Sequence, residues 1–309
     1  MISRDDPVFV AGHRGMVGSA LLRRLGALGY TRVLTRTRTE LDLLDQPAVF
    51  HFLRTEQPRY VFIAAARVGG ILANQERRAD FLYENLQIAI NLIQGAHLAG
   101  IQRLMFLASN CIYPRDCVQP MPESALLSGP LEPTNEPYAI AKIAGLKLCE
   151  SHQRQYGRDY ICVMPASLYG PNDNYDPGSS HVLPALLRRA HEARERGDAE
   201  LTVWGSGRPR REFLYVDDLA QACVMLAERG YQGPPLNIGS GSDVSIRELA
   251  ETIVHEVGFR GRLAFDAGKP DGMPRKLLDS SRVAALGWRA SLPLGEGIRR
   301  AYAAAPFKA

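Results

Sequence analysis

Cysteine is scarce and unpatterned in this chain of 309 residues. Its five thiols, Cys111, Cys117, Cys149, Cys162 and Cys223, form no Cys-x-x-Cys pair. Their odd number and wide spacing argue against a disulfide framework and against a metal site, and point to a reducing compartment. Long apolar runs are also missing, and none approaches the ~18 residues that a membrane span requires. The N-terminal stretch MISRDDPVFVAG lacks the layout of a secretory signal. The expectation is a soluble, cytoplasmic protein with no membrane partner. Charge of one sign is in small excess, a net +4. So slight a surplus, with no basic motif, does not argue for nucleic acid, but it suits a site for anionic phosphates. Internal repeats and low-complexity segments are absent. With 46% apolar and 23% charged residues, disorder, collagen and coiled coil are poor readings. The length suits one large domain, or two sharing a core.

What is present is an alternation. Short β-rich apolar runs at Val8–Ala11, 32–35, 60–64, 104–108 and 160–164 read as buried strands. Helical periodicity lies between them: Leu82, Leu86, Ala89, Ile93 and Ala96 step by four, three, four and three along one helix face. Such alternation predicts an α/β fold of Rossmann type, a doubly wound parallel sheet with helices on both faces. After Met164 the character changes. Residues 165–181 are rich in Gly, Pro, Asn, Asp and Ser and read as a long loop. A helix follows, with Ser180 as its N-cap and Pro184 in its first turn. Its charge-dense tail over 188–196 reads as a solvated face. Leu236–Ile238 looks like one more strand, and Ser245 starts another helix. The division expected is 1–164 for the sheet domain, to which 212–240 returns, and 165–309 mainly for a smaller, loop-rich lobe.

Gly12-His13-Arg14-Gly15-Met16-Val17-Gly18 follows the first strand and opens a helix. Glycines there permit a tight turn and let the backbone approach a pyrophosphate, while the helix N-terminus supplies N–H donors. The spacing is GxxGxxG rather than GxGxxG, and a glycine-rich packing turn is the bland alternative; the place between strand and helix favours a dinucleotide. At the end of the second strand an acid would bind the ribose hydroxyls of NAD. Here the chain reads Thr35-Arg36-Thr37-Arg38, with no acid before Glu40. Arginine accepts a 2′-phosphate bidentately, so Arg36 and Arg38 favour NADP(H), unless both are merely solvated.

Tyr138 and Lys142 stand four apart on a predicted helix, hence on one face. An ammonium beside a phenol favours the phenolate, so Tyr138 is expected to have its pKa lowered from ~10 and to serve as a general acid or base. Ser109-Asn110-Cys111 closes the 104–108 strand. If the extended backbone continues, Ser109 and Cys111 point the same way, into the carboxyl edge of the sheet where ligands bind in such folds. Taken singly, Cys111 reads as a small buried hydrophobe and His181 as a solvated loop histidine.

These motifs together resemble the extended short-chain dehydrogenase/reductase family. The resembling stretches are AGHRGMVGSA (11–20), AARVGGI (65–71), NCIYP (110–114), EPTNEPYAIAKIAGLKLCE (132–150), SSHVLPALLRR (179–189), VWGSGRPRREFLYVDDLA (203–220) and KPDGMPRKLLD (269–279). They span nearly the whole chain. Asn110 stands where a small hydroxyl residue is common, and Arg67 where lysine is common. The match is closest to the branch of bifunctional epimerase–reductases. It implies conversion of GDP-4-keto-6-deoxy-D-mannose to GDP-L-fucose with NADPH. It also implies Ser109, Cys111, Tyr138, Lys142 and His181 as the catalytic set, with Cys111 the base and His181 the acid of the epimerisations. A cationic histidine is disfavoured at a helix N-terminus, which makes His181 a better proton donor. Tyr138 then protonates the alkoxide, Ser109 hydrogen-bonds that oxygen, and Lys142 tunes Tyr138 and holds the nicotinamide ribose. Pro165, Leu168 and His181 join the glycine loop in the implied cofactor site. Arg189, Trp204, Arg211 and Asp271 are the implied substrate ligands in a substrate-binding lobe: Arg for the diphosphate, Trp as a stacking face, Asp as an acceptor. Lys276 is a weaker candidate of the same kind. The resemblance further implies a homodimer in which the Leu82–Ile93 and Tyr138 helices form a four-helix bundle with a second subunit. Two readings compete. One is another nucleotide-sugar reductase or epimerase of the family; a simple 4-epimerase needs no Cys/His pair and retains NAD. The other is a non-catalytic NADP-binding regulator, which commonly lacks the Tyr or the Lys.

Overall fold

Short buried strands and amphipathic helices alternate through the first half of the chain as a parallel sheet requires. The computed structural model describes residues 2–269 and 271–308; Met1, Ala309 and Pro270, the last inside the 269–279 stretch, lie outside them. The elements run β1 Val8–Ala11, α1 Met16–Ala27, β2 Val33–Leu34, α2 Gln46–Glu56, β3 Tyr60–Ile63, α3 Ile71–Glu76, α4 Arg78–Leu98, β4 Arg103–Leu107, α5 Glu136–Tyr156 and β5 Asp159–Pro165. After these come β6 Ser167–Tyr169, α6 Val182–Arg196, β7 Glu200–Trp204, β8 Arg210–Arg211, β9 Phe213–Tyr215, α7 Val216–Glu228 and β10 Leu236–Ile238. The chain closes with β11 Val244–Ser245, α8 Ile246–Val257, β12 Arg262–Asp266, β13 Arg275–Lys276, α9 Ser281–Ala285 and α10 Leu294–Ala303. Among the described residues no helix is long and apolar enough to cross a membrane.

The central sheet has six parallel strands in the order β10-β5-β4-β3-β1-β2. Every residue of β1 and β3 is buried, as strands covered on both faces demand. Helix α1 packs against α7, while α2, α4 and α5 pack together. The chain passes from β1 to β2 on one side and then to β3 on the other, so the loops after β1 and β3 diverge at a switch point. A second apolar core joins α6, α8 and α10 to β7 and β9 through Leu187, Leu201, Phe213, Leu249, Ile253 and Ile298. Strand β9 ties the two cores, because Leu214 belongs to the first and Phe213 and Tyr215 to the second.

Three expectations are corrected. The 165–181 stretch is not all loop: Ser167–Tyr169 is a strand, paired in parallel with β9. Composition hid it, since only three residues pair. The cap of α6 is His181, not Ser180. The Ser179 and Ser180 backbone is held against Gly70, whose N–H donates to the Ser179 carbonyl at 2.7 Å, so the helix begins one residue later. Within 188–196 the helix is only partly solvated. Arg194 donates to the Val257 carbonyl at 2.9 Å, and His191 bonds the Tyr302 hydroxyl at 2.8 Å, tying α6 to α8 and α10.

Candidate active site

The loop after β1 shows why its glycines are required. Gly12 has φ +85°, and a Cβ there would lie 2.7 Å from the Ala65 backbone at the end of β3. Gly18 lies inside α1, where a Cβ would stand 2.6 Å from the Gly12 carbonyl carbon. Helix and loop therefore touch backbone to backbone, and Gly15 caps α1 with no side chain in the way. The first-turn N–H groups of Met16, Val17 and Gly18 face the switch point without helical partners. His13 and Arg14 flank them. A helix N-terminus packed this closely onto its loop, with a glycine cap, fits a dinucleotide pyrophosphate.

The arginines after β2 are not equivalent. Arg36 is engaged: its Nη2 meets Glu56 at 2.5 Å, its Nη1 donates to the Thr35 carbonyl, and its guanidinium lies 4.9 Å from the Phe52 ring centre. Arg38 is 75% exposed and only 4.0 Å from Asp42, a loose pair that leaves it free to turn. Of the two arginines, Arg38 is the one whose guanidinium is loosely held, because α2 supplies Arg36 with a carboxylate. Pro165 ends β5 and Leu168 sits in β6, both at the carboxyl edge of the sheet.

At the same edge, Ser109, Cys111 and Tyr138 meet, but not by strand alternation. The backbone leaves β4 and turns into a single 3-10 turn over Asn110–Ile112. The Ser109 hydroxyl caps that turn, accepting from the Cys111 N–H at 3.2 Å. The turn, not an extended strand, brings the sulfur round beside the phenol. Cys111 Sγ receives the Asn135 side-chain amide at 3.2 Å and the Lys276 ammonium at 3.5 Å. Asn135 precedes α5 three residues before Tyr138, hence on its face; that spacing was the signal for it in the sequence.

The expected lowering of the Tyr138 pKa is also corrected. Burial raises it above the ordinary phenol range, the nearby Cys111 adds to the rise, and Ser109 works against both. Lys142 does not offset this, because its ammonium is turned inward. It donates to the Leu107 carbonyl at 2.8 Å and lies 4.8 Å from the Phe106 ring centre, but 5.8 Å from that of Tyr138. Burial pushes Lys142 itself down to about 8. His181 caps α6 with part of its surface exposed; desolvation of its ring, and then the Lys276 charge, shift it toward its neutral form. Lys276 thus acts on both Cys111 and His181.

The remaining candidates line the second lobe. Arg189 is half-buried on α6 and donates to the Thr202 carbonyl at 2.5 Å. Trp204, 67% exposed, ends β7 with the Lys269 ammonium 5.4 Å from its ring centre. Asp271 accepts from the Ser206 N–H at 2.6 Å and hydroxyl at 2.7 Å, which holds its pKa down. Arg211 on β8 is in the field of Asp271 but forms no ion pair with it. Arg67 is committed to structure, paired with Glu84 and stacked on Phe81.

Comparison with known proteins gives this geometry a setting. Residues 8–239 match the NAD dependent epimerase/dehydratase family. The chain is 54% identical over 304 residues to GDP-L-fucose synthase of Escherichia coli, covering 96% of this chain and 95% of that one. It is likewise 54% identical to GDP-L-fucose synthase 1 of Arabidopsis thaliana, covering 98% and 94%. Among solved structures, a GDP-mannoheptose C4 reductase from Campylobacter jejuni with NADP bound superposes with a TM-score of 0.91 at 35% identity, covering both chains fully.

Proposed function

The chain belongs to the NAD-dependent epimerase/dehydratase family, and from that premise we propose that it converts GDP-4-keto-6-deoxy-D-mannose into GDP-L-fucose, epimerising C3 and C5 and reducing C4 with NADPH. The observation that carries the reading is the meeting of a thiol, an ammonium and a half-buried phenol in one site: Cys111 Sγ, held by Asn135 and Lys276, beside Tyr138.

The C4 ketone acidifies the protons on C3 and C5. Cys111 removes each from one face, with the Lys276 ammonium adjacent to the sulfur as charge develops. His181 returns a proton to the opposite face; its shift toward the neutral form makes its protonated form a stronger acid. Gly12 to Gly18, Arg38, Pro165 and Leu168 would hold NADPH, with Lys142 at the nicotinamide ribose, and the bound cofactor would supply the hydride for C4. Tyr138 gives its proton to the C4 oxygen, and burial keeps the phenol protonated for that task. Ser109 hydrogen-bonds the same oxygen. Arg189 and Arg211 hold the diphosphate, Trp204 stacks, and Asp271 accepts from hydroxyl or ring N–H groups.

The test is incubation with GDP-4-keto-6-deoxy-D-mannose in deuterium oxide, with and without NADPH, followed by NMR. Deuterium is expected at C3 and C5 without NADPH, and GDP-L-fucose with it. A C4-reduced product with its C3 and C5 configurations retained sinks the epimerase half of the reading. In Cys111→Ser, exchange is expected to fall by about two orders of magnitude or more, because a hydroxyl is a far weaker acid than a thiol. Retained exchange removes the cysteine from the mechanism.

The working unit in this reading is a homodimer in the cytoplasm. Supporting the dimer, Tyr83 and Ile90, seven residues apart on α4, and Ile140 on α5 expose apolar side chains. Paired replacement of Ile90 and Ile140 by Glu is expected to yield a monomer in sedimentation. The five unpaired cysteines favour the reducing compartment.

A further inference from the structure

Beside the site lies a three-stranded sheet of unusual charge, β11-β8-β13. Strand β8 is Arg210-Arg211 and strand β13 is Arg275-Lys276, and they pair in parallel with Arg275 opposite Arg210 and Lys276 opposite Arg211. Successive side chains on a strand point to opposite faces. The sheet therefore carries two cations abreast on each face. Like charges directly opposite each other on neighbouring strands repel.

The two faces meet that repulsion differently. On one, Asp243 sits between the arginines with its side chain only 5% exposed. Its Oδ1 accepts from Arg210 Nε at 2.8 Å and its Oδ2 from Arg275 Nε at 2.5 Å, while its carbonyl accepts from Arg210 Nη2 at 2.8 Å. Glu248 reaches Arg210 Nη1 at 3.4 Å. On the other face, among the described residues, neither Arg211 nor Lys276 is ion-paired. Arg211 donates to the Arg210 carbonyl, and Lys276 reaches the Cys111 sulfur. Two adjacent cations held in no ion pair, with only the more distant Asp271 charge acting on Arg211, form a seat for an anion.

We propose that Asp243 is a positioning residue for the diphosphate of the GDP-sugar: by clamping Arg210 to Arg275 it holds β8 to β13, and so keeps Arg211 and Lys276 side by side on the ligand face. Loss of its charge leaves the two facing guanidiniums with no shared carboxylate: Arg210 keeps Glu248 and the residue-243 carbonyl, and Arg275 loses its ion pair. The strands then part, and the cationic pair on the other face parts with them. The inference rests on the reading of Arg211 as a diphosphate ligand.

GDP binding to the full-length protein by calorimetry tests it without reliance on catalysis. Asp243→Asn is expected to weaken GDP about tenfold, as lost positioning of a charged contact does, with NADPH affinity unchanged. Asp243→Asn/Arg275→Gln removes one facing cation along with the carboxylate. It is expected to recover GDP affinity to within about threefold of wild type, a coupling that the double-mutant cycle isolates. A merely structural role predicts the reverse, since the double variant loses one more contact. Unchanged GDP affinity in a folded Asp243→Asn, or a double variant no better than the single, overturns the proposal. If Asp243→Asn alone does not fold, the double variant decides: near-wild-type binding supports the proposal and weak binding overturns it. Arg211→Met tells the two readings apart, because undiminished GDP binding in that variant sinks the diphosphate site itself.

Discussion

Tyr138 and Lys142 stand one turn apart on α5, and burial moves their proton affinities in opposite directions, Tyr138 upward and Lys142 down to about 8. Sequence spacing revealed the pair but not the sign of the Tyr138 shift. Spacing reports which face two residues share; it does not report that Lys142 is drawn inward to the Leu107 carbonyl or that packing round the half-buried phenol disfavours its charged form. A phenol kept protonated is a proton donor. Tyr138→Phe is therefore expected to stop C4 reduction while deuterium still enters C3 and C5, since Cys111 and His181 remain; loss of both in a folded protein would give Tyr138 a part in epimerisation. Lys142 carries a stability consequence as well. Its folded pKa lies below its unfolded value of 10.5, so the stability it adds is full above 10.5 and is lost as pH falls through 8. At pH 7 its buried charge opposes folding. Lys142→Met is expected to stabilise the cofactor-free protein at pH 7 by about 1–3 kcal/mol while abolishing reduction, the usual conflict between an active site and stability. Melting at pH 7 and at pH 10.5 checks this: an equal gain at both pH values would rule out the buried charge as its cause.

At the scale of elements, the proposed 2′-phosphate contact lies in the loop between β2 and α2. Arg36 is bound to α2 through Glu56 and Phe52, and Arg38 is left exposed. Arg38→Ala is expected to raise the KM for NADPH about tenfold, with little change for NADH, as loss of a charged hydrogen bond does. An unchanged NADPH/NADH ratio in kcat/KM would remove the 2′-phosphate contact. Arg36→Ala should instead cost stability, because it strands Glu56. The strands of the central sheet were legible because each is a short apolar run set between helical periods, and Val8–Ala11 and Leu236–Ile238 agree to the residue. What escaped was set by partners distant in sequence. Ser167–Tyr169 is a strand only because β9 lies beside it, α6 starts at Val182 because Gly70 holds Ser179, and Cys111 turns toward Tyr138 because Ser109 caps a 3-10 turn. Asp243 gave no local signal at all, since its meaning depends on the register of β8 and β13.

Across the whole molecule, the proposed chemistry sits at the carboxyl edge of the sheet and a histidine cluster sits at the opposite edge. There α4 and α5 end and β4 and β5 begin. His97 and His152 stack with ring centres 4.6 Å apart, with Tyr156 and Tyr160 against them. Arg158 donates to His97 Nδ1 at 3.2 Å, which requires that nitrogen to be unprotonated. His152 is buried, and neither ring nitrogen has a partner among the described residues. Burial lowers both pKa values, and the Arg158 charge lowers them further, with His97 adding to the effect on His152. A folded pKa below the unfolded one means that the unfolded chain takes up protons first as pH falls. The stability these histidines contribute is therefore complete above the unfolded value of about 6.5 and declines below it. Other groups contribute with the other sign. Burial raises Asp173 to about 7 and moves Glu212 upward, so each adds stability as pH falls. The melting curve of the wild type alone mixes these contributions, and a difference between two proteins cancels them. His152→Phe keeps the ring stack and removes the titration. Between pH 7 and pH 5.5 its melting temperature is expected to fall about 2–4 °C less than that of the wild type, while the pH dependence of C4 reduction stays the same because the cluster lies at the far edge from Tyr138. Parallel melting curves for the two proteins would mean that the His97–His152 cluster takes up no protons on unfolding in this range.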